Sequence, residues 1–114
     1  MDYQALGLGE APSVVTAVKV VEDEHAIIIS CLYDPRDAQM PYRLSFKKCA
    51  HITWEPFDEG VDPHQLDAEL IGISVETHEP QKRAVITTDA FELSFSYGSF
   101  AVQTHTPTSH SSRP

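Results

Sequence analysis

YRLSFKKCAHITW, residues 42–54, decides the fold class of this chain. Tyr42, Leu44, Phe46, Ala50, Ile52 and Trp54 share one parity, while Arg43, Ser45, Lys47, Cys49, His51 and Thr53 share the other. Successive side chains of a strand point to opposite faces, so this alternation predicts a β-strand with one core face and one polar face. Lys48 is the misfit on the apolar side, and 13 residues exceed the usual strand length of about 3 to 10. A bulge or bend is therefore expected near Lys47-Lys48.

The same period extends outward in both directions. Val14 to Val21 is a β-branched run, apolar on both parities, and after the acidic Glu22-Asp23-Glu24 the stretch HAIIISCLY (His25 to Tyr33) continues in kind. The two read as a hairpin buried on both sides. Asp34-Pro35 places Asp at the first and Pro at the second position of a type I turn. Downstream, Ile71, Ile73 and Val75 alternate, RAVITT (Arg83 to Thr88) is strand-like, and Phe91, Leu93, Phe95 and Tyr97 alternate with Glu92, Ser94 and Ser96. Gly98-Ser99 then suits a type II′ hairpin that would set Tyr97 against Phe100. Asp62-Pro63-His64-Gln65 offers a helix cap, with Pro at the first position and Gln at the third, so one short helical turn is expected over residues 63–68. The whole is a mainly β domain: six to seven antiparallel strands in a sandwich or small barrel.

A chain of 114 residues holds one such domain. Residues 13–103 form it, residues 1–12 are read as a loosely held arm, and residues 104–114 (THTPTSHSSRP) lack the apolar anchors that offset ordering entropy. No apolar run approaches the roughly 18 to 20 residues of a membrane helix, and the start lacks the pattern of a signal peptide, so a soluble, cytoplasmic protein is expected. Cys31 and Cys49 sit in apolar strand patterns and are read as small buried hydrophobes rather than a disulfide.

Charge carries the functional reading. Seventeen acids against eight bases give a formal charge of -9. Between Lys48 and Lys82 lie Glu55, Asp58, Glu59, Asp62, Asp67, Glu69, Glu76 and Glu79 without one Lys or Arg. Nucleic acid and anionic membranes are poor partners for such a chain, because both are bound by neutralising phosphate with cations. A surface loop bearing Asp58, Glu59, Asp62 and Asp67 would instead steer a basic protein.

Catalytic and metal constellations are thin. Cys49 and His51 would project from one strand face, their bases roughly 6 to 7 Å apart, but no acid on that face orients the imidazole. The six His are irregularly spaced, with neither HExxH nor CxxC; the tightest cluster is Asp62, His64 and Asp67. No phosphate-cradling loop and no GxSxG are present. No catalytic residue, metal site or cofactor is therefore assigned. A second expectation, from a different class, is a β-barrel holding a small apolar ligand among Trp54, Phe57 and Tyr97, which requires a cavity above about 300 Å³.

YRLSFKKCAHITWE (Tyr42 to Glu55), AELIGIS (Ala68 to Ser74) and AVITTDAFELSFSYGSF (Ala84 to Phe100) together resemble segments of small, uncharacterised bacterial β-rich proteins. Some small acidic proteins of that look are suspected immunity proteins of toxin systems. The resemblance implies a binding module and assigns no residue a role.

Overall fold

The computed structural model describes residues 11–37, 39–75 and 82–104. Within them run eight strands: β1 (Ser13–Val21), β2 (Ala26–Tyr33), β3 (Met40–Lys47), β4 (Ala50–Pro56), β5 (Ala68–Val75), β6 (Lys82–Thr88), β7 (Phe91–Tyr97) and β8 (Ser99–Thr104). They form one antiparallel sheet in the order β4-β7-β6-β5-β1-β2-β3-β8, which is not closed. The mainly β class is as the alternation predicts. The count is eight rather than six or seven, because residues 42–54 divide into β3 and β4, and the architecture is one folded-over sheet rather than two sheets or a closed barrel.

The β1–β2 hairpin forms as expected, with Val21 opposite Ala26 across a single 3-10 turn at Glu22–Glu24. It is buried on one face, not both: Val15, Val18, Ile27, Ile29 and Cys31 are core, whereas on the other face Lys19 is exposed and Ile28, Ser30 and Leu32 are half-buried. The expected helical turn over residues 63–68 does not form. Asp62 Oδ1 instead accepts the His64 N–H (2.9 Å) and the Asp62 carbonyl accepts the Gln65 N–H (3.1 Å). The next groups turn to β1: Val18 N–H donates to the Pro63 carbonyl (2.7 Å) and Leu66 N–H to the Thr16 carbonyl (2.8 Å). The cap residue closes a turn, and the chain beyond it meets its hydrogen-bonding needs on a neighbouring strand.

The decisive feature is a corner. Lys48 takes the left-handed conformation (φ 57°), and Gly98 lies across from it, with Gly98 N–H donating to the Lys47 carbonyl (2.8 Å). Pairing of β3 with β8 stops at Lys47–Ser99, and pairing of β4 with β7 resumes at Ala50–Ser96 in the same register. One two-stranded ribbon thus turns from one half of the sheet into the other. Gly98 is the inner side of this corner rather than a hairpin turn, so Phe100 faces Phe46 and not Tyr97. A Cβ on Gly98 would stand 2.9 Å from the Lys48 Cβ, which explains why the position has none.

Folding at this corner brings the two halves face to face. Phe46 on β3 meets Phe95 edge-on at 4.7 Å and Tyr97 edge-on at 5.4 Å, and stacks on Phe100 at 4.6 Å. Extra residues in β1 between Val15 and Ala17, in β4 between Ala50 and Thr53, and in β5 between Leu70 and Gly72 supply further bending. In β5 that bulge marks a change of neighbours: Ala68 and Glu69 pair with β1, and Leu70 onward with β6. The bend near Lys47-Lys48 agrees with the sequence reading, but the faces beyond it do not. Cys49 turns into the core and Ile52 is 42% exposed, because left-handed residues at Lys48 and His51 (φ 53°) reset the alternation.

At the chain ends, Ala11 N–H donates to the Tyr33 hydroxyl (3.0 Å) and Asp34 N–H to the Pro12 carbonyl (2.8 Å), while Thr104 lies opposite Tyr42. The rest of the expected arm and tail, residues 1–10 and 105–114, lies outside the described residues. Among the described residues no helix is long and apolar enough to cross a membrane.

Candidate functional site

The acidic segment leaves β4 and crosses to β1 as a strap fixed at both ends. Phe57 N–H donates to the Ala90 carbonyl (2.9 Å) at one end, and the Pro63 and Leu66 bonds to β1 hold the other. Between and beside these anchors Asp58, Glu59, Asp62 and Asp67 are all exposed. Gly60 (φ 86°) turns the strap at its midpoint. Such an arrangement holds carboxylates outward on ordered backbone. Glu76 and Glu79, the remainder of the acidic run, lie outside the described residues.

The fold adds acids that the linear run does not contain. Glu55 on β4 sits directly opposite Glu92 on β7, a like-charge pair that disfavours folding on its own account. Asp89 Oδ1 accepts the Glu69 N–H (2.9 Å) and Asp89 N–H donates to the Glu69 carbonyl (3.1 Å), so the β6–β7 turn joins the start of β5. Cations gather at the other end of the same strands. Lys47 and Lys48 stand at the corner, Lys82 Nζ donates to the Gly98 carbonyl (3.3 Å), and Arg83 lies opposite Ser96. Residues of one ribbon thus run from a basic corner to an acidic strap. The β6–β7 turn brings Asp89, and the β4–β7 register brings Glu92, beside acids of the linear run, and the sequence offers only their turn and strand positions as a signal.

The candidate Cys–His pair is not assembled. Cys49 is buried in the core and His51 is exposed on the β4 bulge. Burial pushes the Cys49 thiol up, and burial raises Cys31 to about 12 against a smaller opposing effect of its hydrogen bond with Tyr42. Both cysteines are free and buried, so neither is held as a thiolate at neutral pH. The Asp62, His64 and Asp67 cluster divides as well: the Asp62 carboxylate is engaged with the His64 backbone. Among the described residues no three His, Cys, Asp or Glu side chains come together in a way that could hold a metal ion.

Trp54, Phe57 and Tyr97 stand in three different surroundings. Tyr97 is core against Phe46, Phe57 is 54% exposed, and Trp54 lies at 4.6 Å from Phe91 with its outer side on a groove. That groove, about 240 Å³, is lined by Val18, Val20, Ile52, Trp54, Pro63 and His64 over a floor of Leu93. No protein-family model matches this chain, and no curated protein is significantly similar to it.

Proposed function

We propose that the protein is a non-enzymatic interaction module whose acidic strap, through Asp58, Glu59, Asp62 and Asp67, receives a basic protein partner in the cytoplasm. One observation carries the reading: these carboxylates are exposed on a segment whose two ends are hydrogen-bonded to the sheet. Like charges held close repel, so a fixed acidic patch costs stability that a cationic partner would return as association rate and specificity. An immunity-protein-like role, as the resemblance to small bacterial β-rich proteins implies, is consistent with this reading.

The test is affinity capture from the source cell on two baits, the native protein and its Asp58→Asn, Glu59→Gln, Asp62→Asn, Asp67→Asn variant, each eluted with rising salt. The reading expects a basic protein that elutes with salt from the native bait and is depleted on the variant. Equal recovery of every bound protein on both baits would overturn it.

A further inference from the structure

The groove beside the strap lies between two strand edges. In the sheet order β4 is terminal, with β7 on one side only. β1 is covered by β5 at Val14 and Val15 and by Leu66 and Pro63 as far as Val18, beyond which its edge away from β2 pairs with no strand among the described residues. Val18 and Val20 come from the β1 side, Ile52 and Trp54 from β4, and Leu93 closes the bottom. The slot is apolar, and two of its residues, Val20 and Ile52, are more than 40% exposed.

Its rim is anionic. Glu22, Asp23 and Glu24, all exposed, follow directly on the end of β1, and Asp62 precedes the lining residues Pro63 and His64. Lys19, the cation between Val18 and Val20, alternates to the opposite side of β1. An apolar floor between two open strand edges suits an extended backbone, and the acidic rim selects cations on either side of the seated residue. A second copy of this chain would bring a like-charged rim to the same place.

We propose that this slot is the anchor subsite of the acidic surface: it takes an extended segment of the partner in which an aliphatic side chain is flanked by Lys or Arg. The inference rests on the acidic-surface reading and adds where the partner is gripped. Electrostatics then set the rate of encounter, and the seated side chain sets the lifetime of the complex.

Trp54 is the chain's one tryptophan and a wall of the slot, so its fluorescence reports occupancy. Three short peptides serve as probes: alternating Lys-Leu, alternating Lys-Ser and alternating Glu-Leu. The Lys-Leu peptide should bind at least about 10-fold more tightly than Lys-Ser and shift Trp54 emission to the blue, since one seated leucine removes its side chain from water. Ile52→Ser, at an exposed position that leaves the circular dichroism unchanged, should abolish that advantage. Amides at Asp58, Glu59, Asp62 and Asp67 should weaken both basic peptides. Equal binding of the two basic peptides with Trp54 unmoved overturns the slot and leaves the acidic surface standing. Failure of both basic peptides to bind overturns the acidic surface and the slot with it. Binding of Glu-Leu as tightly as Lys-Leu, or an emission shift with protein concentration alone, replaces the partner with an uncharged ligand or a second copy and overturns the inference.

Discussion

Phe46→Ala and Ile52→Ala, measured side by side, test the corner. In an unbroken strand the two positions share a face and would be equally costly to truncate. In the folded sheet Phe46 is fully buried among Phe95, Tyr97 and Phe100, whereas Ile52 is 42% exposed at the slot. Truncating a buried phenylalanine costs about 3 to 5 kcal/mol, and each lost aromatic contact contributes about 0.5 to 1.5 kcal/mol beyond area, so Phe46→Ala belongs near 5. Fully burying an isoleucine stabilises by about 1.5 to 3 kcal/mol, so at its partial burial Ile52→Ala should cost about 1. Urea denaturation followed by Trp54 fluorescence separates these outcomes, because slopes of about 1 to 3 kcal/mol per molar place the midpoints one to several molar apart. A domain of this size has about 5 to 15 kcal/mol in total, so Phe46→Leu, at a smaller loss, keeps the comparison usable if Phe46→Ala does not fold. Equal costs at positions 46 and 52 would refute the corner and restore the straight strand.

Three further outcomes follow from the same packing. Gly98→Ala should destabilise by about 1 to 3 kcal/mol through the 2.9 Å approach to the Lys48 Cβ. Lys48→Gly in the same chain should recover that loss, since it removes the facing atom and accepts the positive φ; an additive result in thermal unfolding counts against the contact. Thr88 is fully buried, and its hydroxyl oxygen accepts the Ala90 and Phe91 N–H groups (3.1 and 3.0 Å) while donating to the Phe91 carbonyl. Thr88→Val should therefore cost about 2 kcal/mol in urea, against near zero for Thr53→Val on the exposed side of β4. Burial raises the Cys31 thiol from 9.0 to about 12 and moves Cys49 the same way, so the unfolded chain loses these protons at lower pH than the folded one. Their contribution is complete below pH 9 and is lost as pH rises from 9 toward 12; Cys31→Ala should flatten that decline, and a native protein whose thiols react at the rate of free cysteine would contradict the burial.

Strand signals were readable where the local pattern and the tertiary environment agree. Tyr42, Leu44 and Phe46 alternate in sequence and all three are core; the β1–β2 hairpin is joined by the acidic turn that separates its two apolar runs. Lys48 gave away the bend as an apolar-side misfit. Its consequence was not readable, because a left-handed residue resets parity and the sequence does not state that Lys48 and His51 adopt one. Gly98-Ser99 has the local chemistry of a tight turn, yet β7 and β8 are committed to different neighbours by long-range pairing. Likewise the cap residues at 62–65 are compatible with a helix, and hydrogen bonds from Val18 and to Thr16 decide against it. The acidic run was visible in composition. Its fixation to β1, its extension through Asp89 and Glu92, and the slot beside it exist only once β1, β4 and the strap are neighbours.

The most direct test of the acidic surface is the association rate of the captured partner, followed by stopped flow with Trp54 as reporter across a salt series. Screening shortens the reach of a charge to about 8 Å at physiological ionic strength, so the native protein should associate fast at low salt and slow steeply as salt rises. The variant carrying amides at Asp58, Glu59, Asp62 and Asp67 should start slow and vary little. Equal rates for the two proteins, with equal dependence on salt, would contradict the account.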